Sequence, residues 1–154
     1  MEVKRIKSFE IDHTKLSPGI YISRTDGDTV TYDLRTKLPN SGDYMDYDAI
    51  HTIEHLFATY VRNSSYTDRI IYFGPMGCRT GFYFIVSQMD ENDVIGLIKE
   101  TVKFIADYSG EIPGATEKEC GNYKEHNLEK AKKEAAEYYS VVEKWDKDNL
   151  KYPE

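Results

Sequence analysis

Apolar residues recur along this chain in two rhythms. Between residues 19 and 35 they form two short runs rich in Ile, Tyr, Val and Thr, Gly19 to Arg24 and Asp28 to Arg35, and Thr25-Asp26-Gly27 between them carries the turn chemistry of a β-hairpin. A second pair, Arg69 to Phe73 and Gly81 to Ser87, reads as strands joined by the tight loop Gly74-Pro75-Met76-Gly77-Cys78-Arg79-Thr80. Elsewhere the period lengthens to that of a helix. Ile50, Ile53, Phe57, Tyr60 and Val61 mark one helix, capped by Asp46 or Asp48 and running to about Asn63. Val94, Leu97, Ile98, Val102 and Ile105 mark another over Asp90 to Asp107, behind an acidic first turn, and Ser109 to Gly114 breaks it. Leu128, Ala131, Ala135, Tyr138, Val142 and Trp145 line one side of a final amphipathic helix. Its alanines and its length, roughly two to three heptads, fit packing on the protein's own sheet better than a coiled coil. Hairpins followed by helices predict an α+β fold: a mainly antiparallel sheet covered on one face by helices, a two-layer sandwich forming a single domain over residues 1–154.

Composition narrows the class. A chain of 154 residues is long enough for a core that needs no disulfides, and 40% hydrophobic with 31% charged residues is a globular balance. The net charge of −7, with basic residues scattered among acidic ones, offers no stripe for a phosphate backbone, so nucleic acid is not an expected partner. No run approaches the roughly 20 apolar residues needed to cross a bilayer, and Met1 to Glu10 lacks a signal-like apolar stretch. A cytoplasmic protein without membrane partners is expected. In such a compartment Cys78 and Cys120 are more readily reactive or metal-bound than bridged.

His51-Thr52-Ile53-Glu54-His55 places two imidazoles one helical turn apart, with a carboxylate in the same arc. Two such histidines can hold one ion, while the carboxylate beside it can carry protons. The bland alternative is a pair of surface histidines on an acidic helix. A catalytic metal takes three protein ligands and keeps a position open. Cys120, followed by Gly121, is the best third ligand, because a thiolate binds such ions well and glycine permits close backbone approach. His126 and His13 compete; His126 reads as capping or solvating the final helix, and His13 as a turn residue. Cys78, in its glycine-flanked turn beside Arg79, reads equally well as an activated thiolate or as a small core residue.

Ser8-Phe9-Glu10-Ile11-Asp12-His13, Tyr32-Asp33-Leu34-Arg35, His51-Thr52-Ile53-Glu54-His55-Leu56, Pro75-Met76-Gly77-Cys78-Arg79-Thr80-Gly81 and Glu117-Lys118-Glu119-Cys120-Gly121 occur in order. Together they resemble the S-ribosylhomocysteine lyase (LuxS) family over roughly residues 8 to 130. The resemblance implies cleavage of S-ribosylhomocysteine to homocysteine and the signal precursor 4,5-dihydroxy-2,3-pentanedione. It implies a homodimer with active sites at the interface, and Fe(II), replaceable by Zn or Co, on His51, His55 and Cys120. Glu54 and Cys78 match the acid-base residues, and Ser8, His13 and Arg35 match substrate-binding positions, some contributed by the neighbouring subunit. The chain departs from the family pattern at Tyr72 and Gly74, where an acidic residue and a serine are usual, and at Arg79, where glutamine is usual.

Two other readings share the metal motif. An HxxEH-type metallopeptidase would use Glu54 as the base for water attack, but such enzymes take a carboxylate as third ligand and would leave Cys78 idle. A non-catalytic storage or sensor module would need neither Glu54 nor Cys78. A closed structural site would want a fourth ligand, and the sequence offers no good candidate.

Overall fold

The computed structural model describes residues 1–154. Its elements follow the order α1 (Lys7–Glu10), β1 (Gly19–Asp26), β2 (Thr29–Arg35), α2 (Tyr47–Arg62), β3 (Ile70–Pro75), β4 (Gly81–Ser87), α3 (Glu91–Asp107) and α4 (Leu128–Val142). The first hairpin turns on two residues, Gly27 and Asp28, with Asp26 opposite Thr29. Gly27 has φ 62°, the left-handed conformation that a two-residue hairpin turn requires and that glycine adopts without steric cost. Both hairpins join through β2 and β4, giving one antiparallel sheet in the order β1-β2-β4-β3.

Alternation along the strands divides the sheet into two unlike faces. Ile20, Tyr32, Leu34, Phe82, Phe84 and Phe73 are buried in one core with the apolar stripes of α2, α3 and α4. Phe57 of α2 stacks on Phe73 at 3.8 Å between ring centroids and meets Phe84 edge-on at 5.2 Å, so this helix is docked by its own apolar stripe. The helices thus cover one face, as expected. Asp33 and Arg35 point to the other face, yet they too are buried, because the C-terminal segment folds over them and Tyr152 donates to Asp33 Oδ2 at 2.7 Å.

Of the three long helices, two start on side-chain caps and one does not. Asp90 accepts from Asn92 N at 2.9 Å and Asn127 from Lys130 N at 3.0 Å. Asp46 stands at the start of α2 but does not cap it; its carboxylate pairs instead with Lys130 of α4 at 3.0 Å. α4 stops at Val142, short of Trp145, whose indole N–H donates to Ile20 O at 2.9 Å. The chain then runs beside β1, where Ile22 N donates to Leu150 O at 2.8 Å and part of the sheet's free edge is closed. No helix is long and apolar enough to cross a membrane.

Candidate functional site

Buried Ile53, Leu56 and Phe57 seat α2 in the core, which turns His51, Glu54 and His55 toward the opposite, half-exposed side. The loop between α3 and α4 closes over them. Cys120 Sγ lies 3.4 Å from His51 Nε2 and 3.9 Å from His55 Nε2. Metal bonds of about 2.0–2.1 Å to nitrogen and 2.3 Å to sulfur put tetrahedral donors roughly 3.3–3.6 Å apart, so three donors already stand near the spacing that one ion imposes.

Hydrogen bonding also fixes the ring tautomers. His51 Nδ1 is 2.9 Å from Glu125 O and His55 Nδ1 is 2.8 Å from Pro113 O. A carbonyl can only accept, so each Nδ1 carries the hydrogen and each Nε2 keeps its lone pair for an ion. Gly114, with φ 69°, lets the loop reach His55: a Cβ there would stand 3.3 Å from His55 Nδ1. Close approach was expected of Gly121, but a Cβ at that position would meet nothing.

His126 belongs to this cluster. Its ring stacks on His51 at 3.9 Å, and its ligand atom lies with those of His51, His55 and Cys120 inside a set spanning 4.8 Å. Thr52 Oγ1 donates to Asp48 O at 3.0 Å, so its oxygen accepts from His126 Nδ1 at 3.0 Å. His126 Nε2 therefore keeps its lone pair, buried and without a hydrogen-bond partner. Burial, with His51 and His55 beside it, pushes His126 down to about 4, which keeps the ring neutral at pH 7. The reading of His126 as a cap is corrected: Asn127 caps α4, and His126, which the sequence offered only as a competitor for the third position, stands as a fourth nitrogen or sulfur donor beside the other three.

A second pocket gathers Ser8, His13, Arg35, Cys78 and Tyr83 around the loop between β3 and β4. Cys78 is exposed, which removes its alternative reading as a core residue. The left-handed residue of this loop is Arg79, with φ 63°, rather than a glycine. Its guanidinium lies over the rings of Tyr47 and Tyr44, 4.9 and 5.6 Å from their centroids, and so is engaged on aromatic faces. The cation found beside the thiol is Arg35, with Nη1 3.9 Å from Cys78 Sγ. Arg35 is 2% exposed and bound to Asp33 by two contacts, Nε to Oδ1 at 3.2 Å and Nη2 to Oδ2 at 2.6 Å. His13 Nδ1 bonds to Ile11 O at 2.8 Å, which leaves its Nε2 as an acceptor.

Glu54 lies outside the four-donor cluster. It lines a recess with His55, Tyr72, Pro113 and Gly114. Two of the departures from the family pattern meet here: the Tyr72 ring lies over Gly74, in the space a Cβ at 74 would fill. The recess beside the four-donor cluster and the pocket around Cys78 have no lining residue in common.

Known proteins resemble the chain along nearly its whole length. The family model described as S-ribosylhomocysteinase (LuxS) matches residues 6–149. The S-ribosylhomocysteine lyase of Borreliella burgdorferi (strain ZS7) is 49% identical over 98% of this chain and 100% of its own. Those of Phocaeicola vulgatus and Finegoldia magna are also 49% identical, covering 98% and 99% of this chain and 98% and 100% of their own. With the ordered motifs, the donor cluster and these matches in agreement, the chain belongs to the LuxS family of S-ribosylhomocysteinases.

Proposed function

We propose that this carbon–sulfur lyase cleaves S-ribosylhomocysteine to homocysteine and 4,5-dihydroxy-2,3-pentanedione, by carbonyl migration and β-elimination, at a divalent metal held by His51, His55 and Cys120. The observation that carries the reading is the convergence of two Nε2 lone pairs and one Sγ at 3.4 and 3.9 Å, with both ring tautomers fixed by backbone carbonyls. A mixed nitrogen and sulfur set suits Fe(II), with Zn or Co as substitutes. When bound there, such an ion supplies Lewis-acid polarisation of a sugar carbonyl.

The chain's own groups then move protons. Carbonyl migration shifts hydrogen between neighbouring sugar carbons, and elimination removes one more proton as the C–S bond breaks. Glu54, beside His55, and Cys78, beside Arg35, are the proposed acid-base groups. Ser8, His13 and Arg35 line the Cys78 pocket with polar groups suited to the hydroxyls and the amino-acid end of the substrate. As the family resemblance implies, the proposed working unit is a homodimer with its active sites at the interface, and the separate linings of the two pockets fit an arrangement in which one subunit's thiol pocket faces its partner's metal centre. The single-domain chain is proposed to act in the cytoplasm.

One observation favours a second reading: His126 supplies a fourth donor, and four donors can close a metal's shell as in a storage or sensor site. Thiol release separates the two. Protein purified without oxygen and loaded with Fe(II) or Co(II) should liberate homocysteine from S-ribosylhomocysteine, and Cys78→Ala should abolish release while retaining the metal. Dimeric, metal-loaded protein that liberates no thiol would overturn the lyase reading and leave the closed site.

A further inference from the structure

A continuous hydrogen-bond chain runs from the C-terminal segment, under the open face of the sheet, to the Cys78 thiol. Tyr152 donates to Asp33 Oδ2 at 2.7 Å, and its ring stacks on Tyr21 at 5.2 Å. Burial, and then Asp33, hold the Tyr152 phenol well above its ordinary range, so it remains a donor. Asp33 accepts both Arg35 contacts, which aims the remaining nitrogen, Nη1, at Thr80 Oγ1 at 2.8 Å. Thr80 Oγ1 in turn lies 3.0 Å from Cys78 Sγ.

The link before it leaves the last one free to run from the threonine hydroxyl to sulfur, and once the sulfur is ionised it can run no other way. A guanidinium has no lone pair to offer, so Arg35 must donate to Thr80. The threonine oxygen is thereby engaged as an acceptor, and its own hydrogen is free to point at sulfur. Hydrogen bonds to an ionised acceptor are stronger than those to a neutral one, so the hydroxyl is placed to hold the sulfur in position as a thiolate, the form that accepts a proton and attacks electrophiles. Thr80 is 2% exposed, which keeps water from competing for that hydrogen. Tyr152 lies beyond residues 6–149, the span that the family model matches.

We propose that Thr80 is a positioning residue whose hydroxyl holds the Cys78 thiolate, and that Tyr152 of the C-terminal segment sets this contact from a distance by anchoring Asp33 and Arg35. The proposal rests on the acid-base role of Cys78. Tyr152 shares the charge of Asp33; without its hydroxyl, Asp33 draws Arg35 more strongly to itself and away from Thr80.

The test is the rate at which iodoacetamide alkylates Cys78 at pH 7 in metal-loaded protein without substrate, followed by mass on the Cys78 peptide. Thr80→Val, which deletes the hydroxyl and keeps the shape, should slow alkylation about tenfold, the scale of one hydrogen bond to a charged group. Thr80→Ser should restore it, and Tyr152→Phe should slow it about threefold with its ring packing retained. In turnover Thr80→Val and Tyr152→Phe should lower kcat, with Thr80→Ser near the unmodified value, and all three should leave KM and metal content near those of the unmodified protein. Alkylation of a folded Thr80→Val protein at the unmodified rate, or equal slowing in Thr80→Val and Thr80→Ser, would overturn the proposal. Full turnover by Cys78→Ala would instead overturn the acid-base role of Cys78, whatever the alkylation rates.

Discussion

The metal centre and the thiol pocket are built in opposite ways. The metal centre draws its histidines from one well-seated helix, but Cys120 and His126, and the carbonyls of Pro113 and Glu125, come from the loop between α3 and α4, where regular structure is scarce. The thiol pocket stands on the sheet itself: Arg35 and Asp33 in β2, with Thr80 and Cys78 entering β4, tied by a buried ion pair and its hydrogen bonds. A buried pair holds its geometry only when its remaining polar groups are satisfied, and here Tyr152 and Thr80 satisfy them. The thiol half is thus formed by the fold, whereas the metal half has donors facing one another across a loop that an ion would tie down. Proton chemistry needs a base in fixed register, while a metal site can borrow rigidity from its metal.

The strongest way to break this contrast is to remove one donor. His51→Ala should lose its metal and about a thousandfold or more in thiol release, as expected when a Lewis acid is lost. Iodoacetamide should still alkylate its Cys78 at the unmodified rate. Slowed alkylation would mean that the halves are coupled through the chain.

Chelation asks the same question of the backbone. Stripping the metal should speed amide exchange across residues 111 to 127 by about ten- to hundredfold and leave the Cys78 loop and β4 unchanged. Equal loosening of both would contradict a preformed thiol pocket. His126→Ala refines the metal half: about a tenfold loss of metal affinity is expected, because the ring packs on His51 and faces the donors, with the three proposed ligands still in place. The smallest change concerns Gly74→Ser. Its Cβ would push the Tyr72 ring off β3 and reshape the recess beside Glu54, raising KM about threefold at constant metal content, an effect of less than 1 kcal/mol.

What could be read from the sequence follows the range of the forces involved. The strands, the three long helices and most of their boundaries were legible because periodicity acts within a few residues, whereas the caps were not: Asp46 pairs with Lys130 instead of capping α2, and Asn127 rather than His126 caps α4. The pairing of His51 with His55 was legible because one helical turn fixes it. His126 was not, since its ring is oriented by Thr52, 74 residues earlier. Arg79 looked like the partner of Cys78 by adjacency, yet its left-handed backbone sends its side chain to Tyr44 and Tyr47, and Arg35 reaches the thiol from 43 residues away. Trp145 and Tyr152 escaped for the same reason: their partners Ile20 and Asp33 lie across the chain on the sheet. The grouping of Ser8, His13 and Arg35 came through the family resemblance, because no local pattern joins those three positions.

The central claim is that a metal half from one subunit and a thiol half from its partner make one active site. Co-expressing Cys78→Ala and His51→Ala chains with different tags, and isolating the mixed dimer, tests this directly. One of its two active sites would then combine an intact metal centre with an intact thiol pocket, so thiol release at about half the unmodified rate per dimer is predicted, while each parent dimer stays inactive. A metal-bearing mixed dimer with no release would place both halves of each site in the same chain and contradict the account.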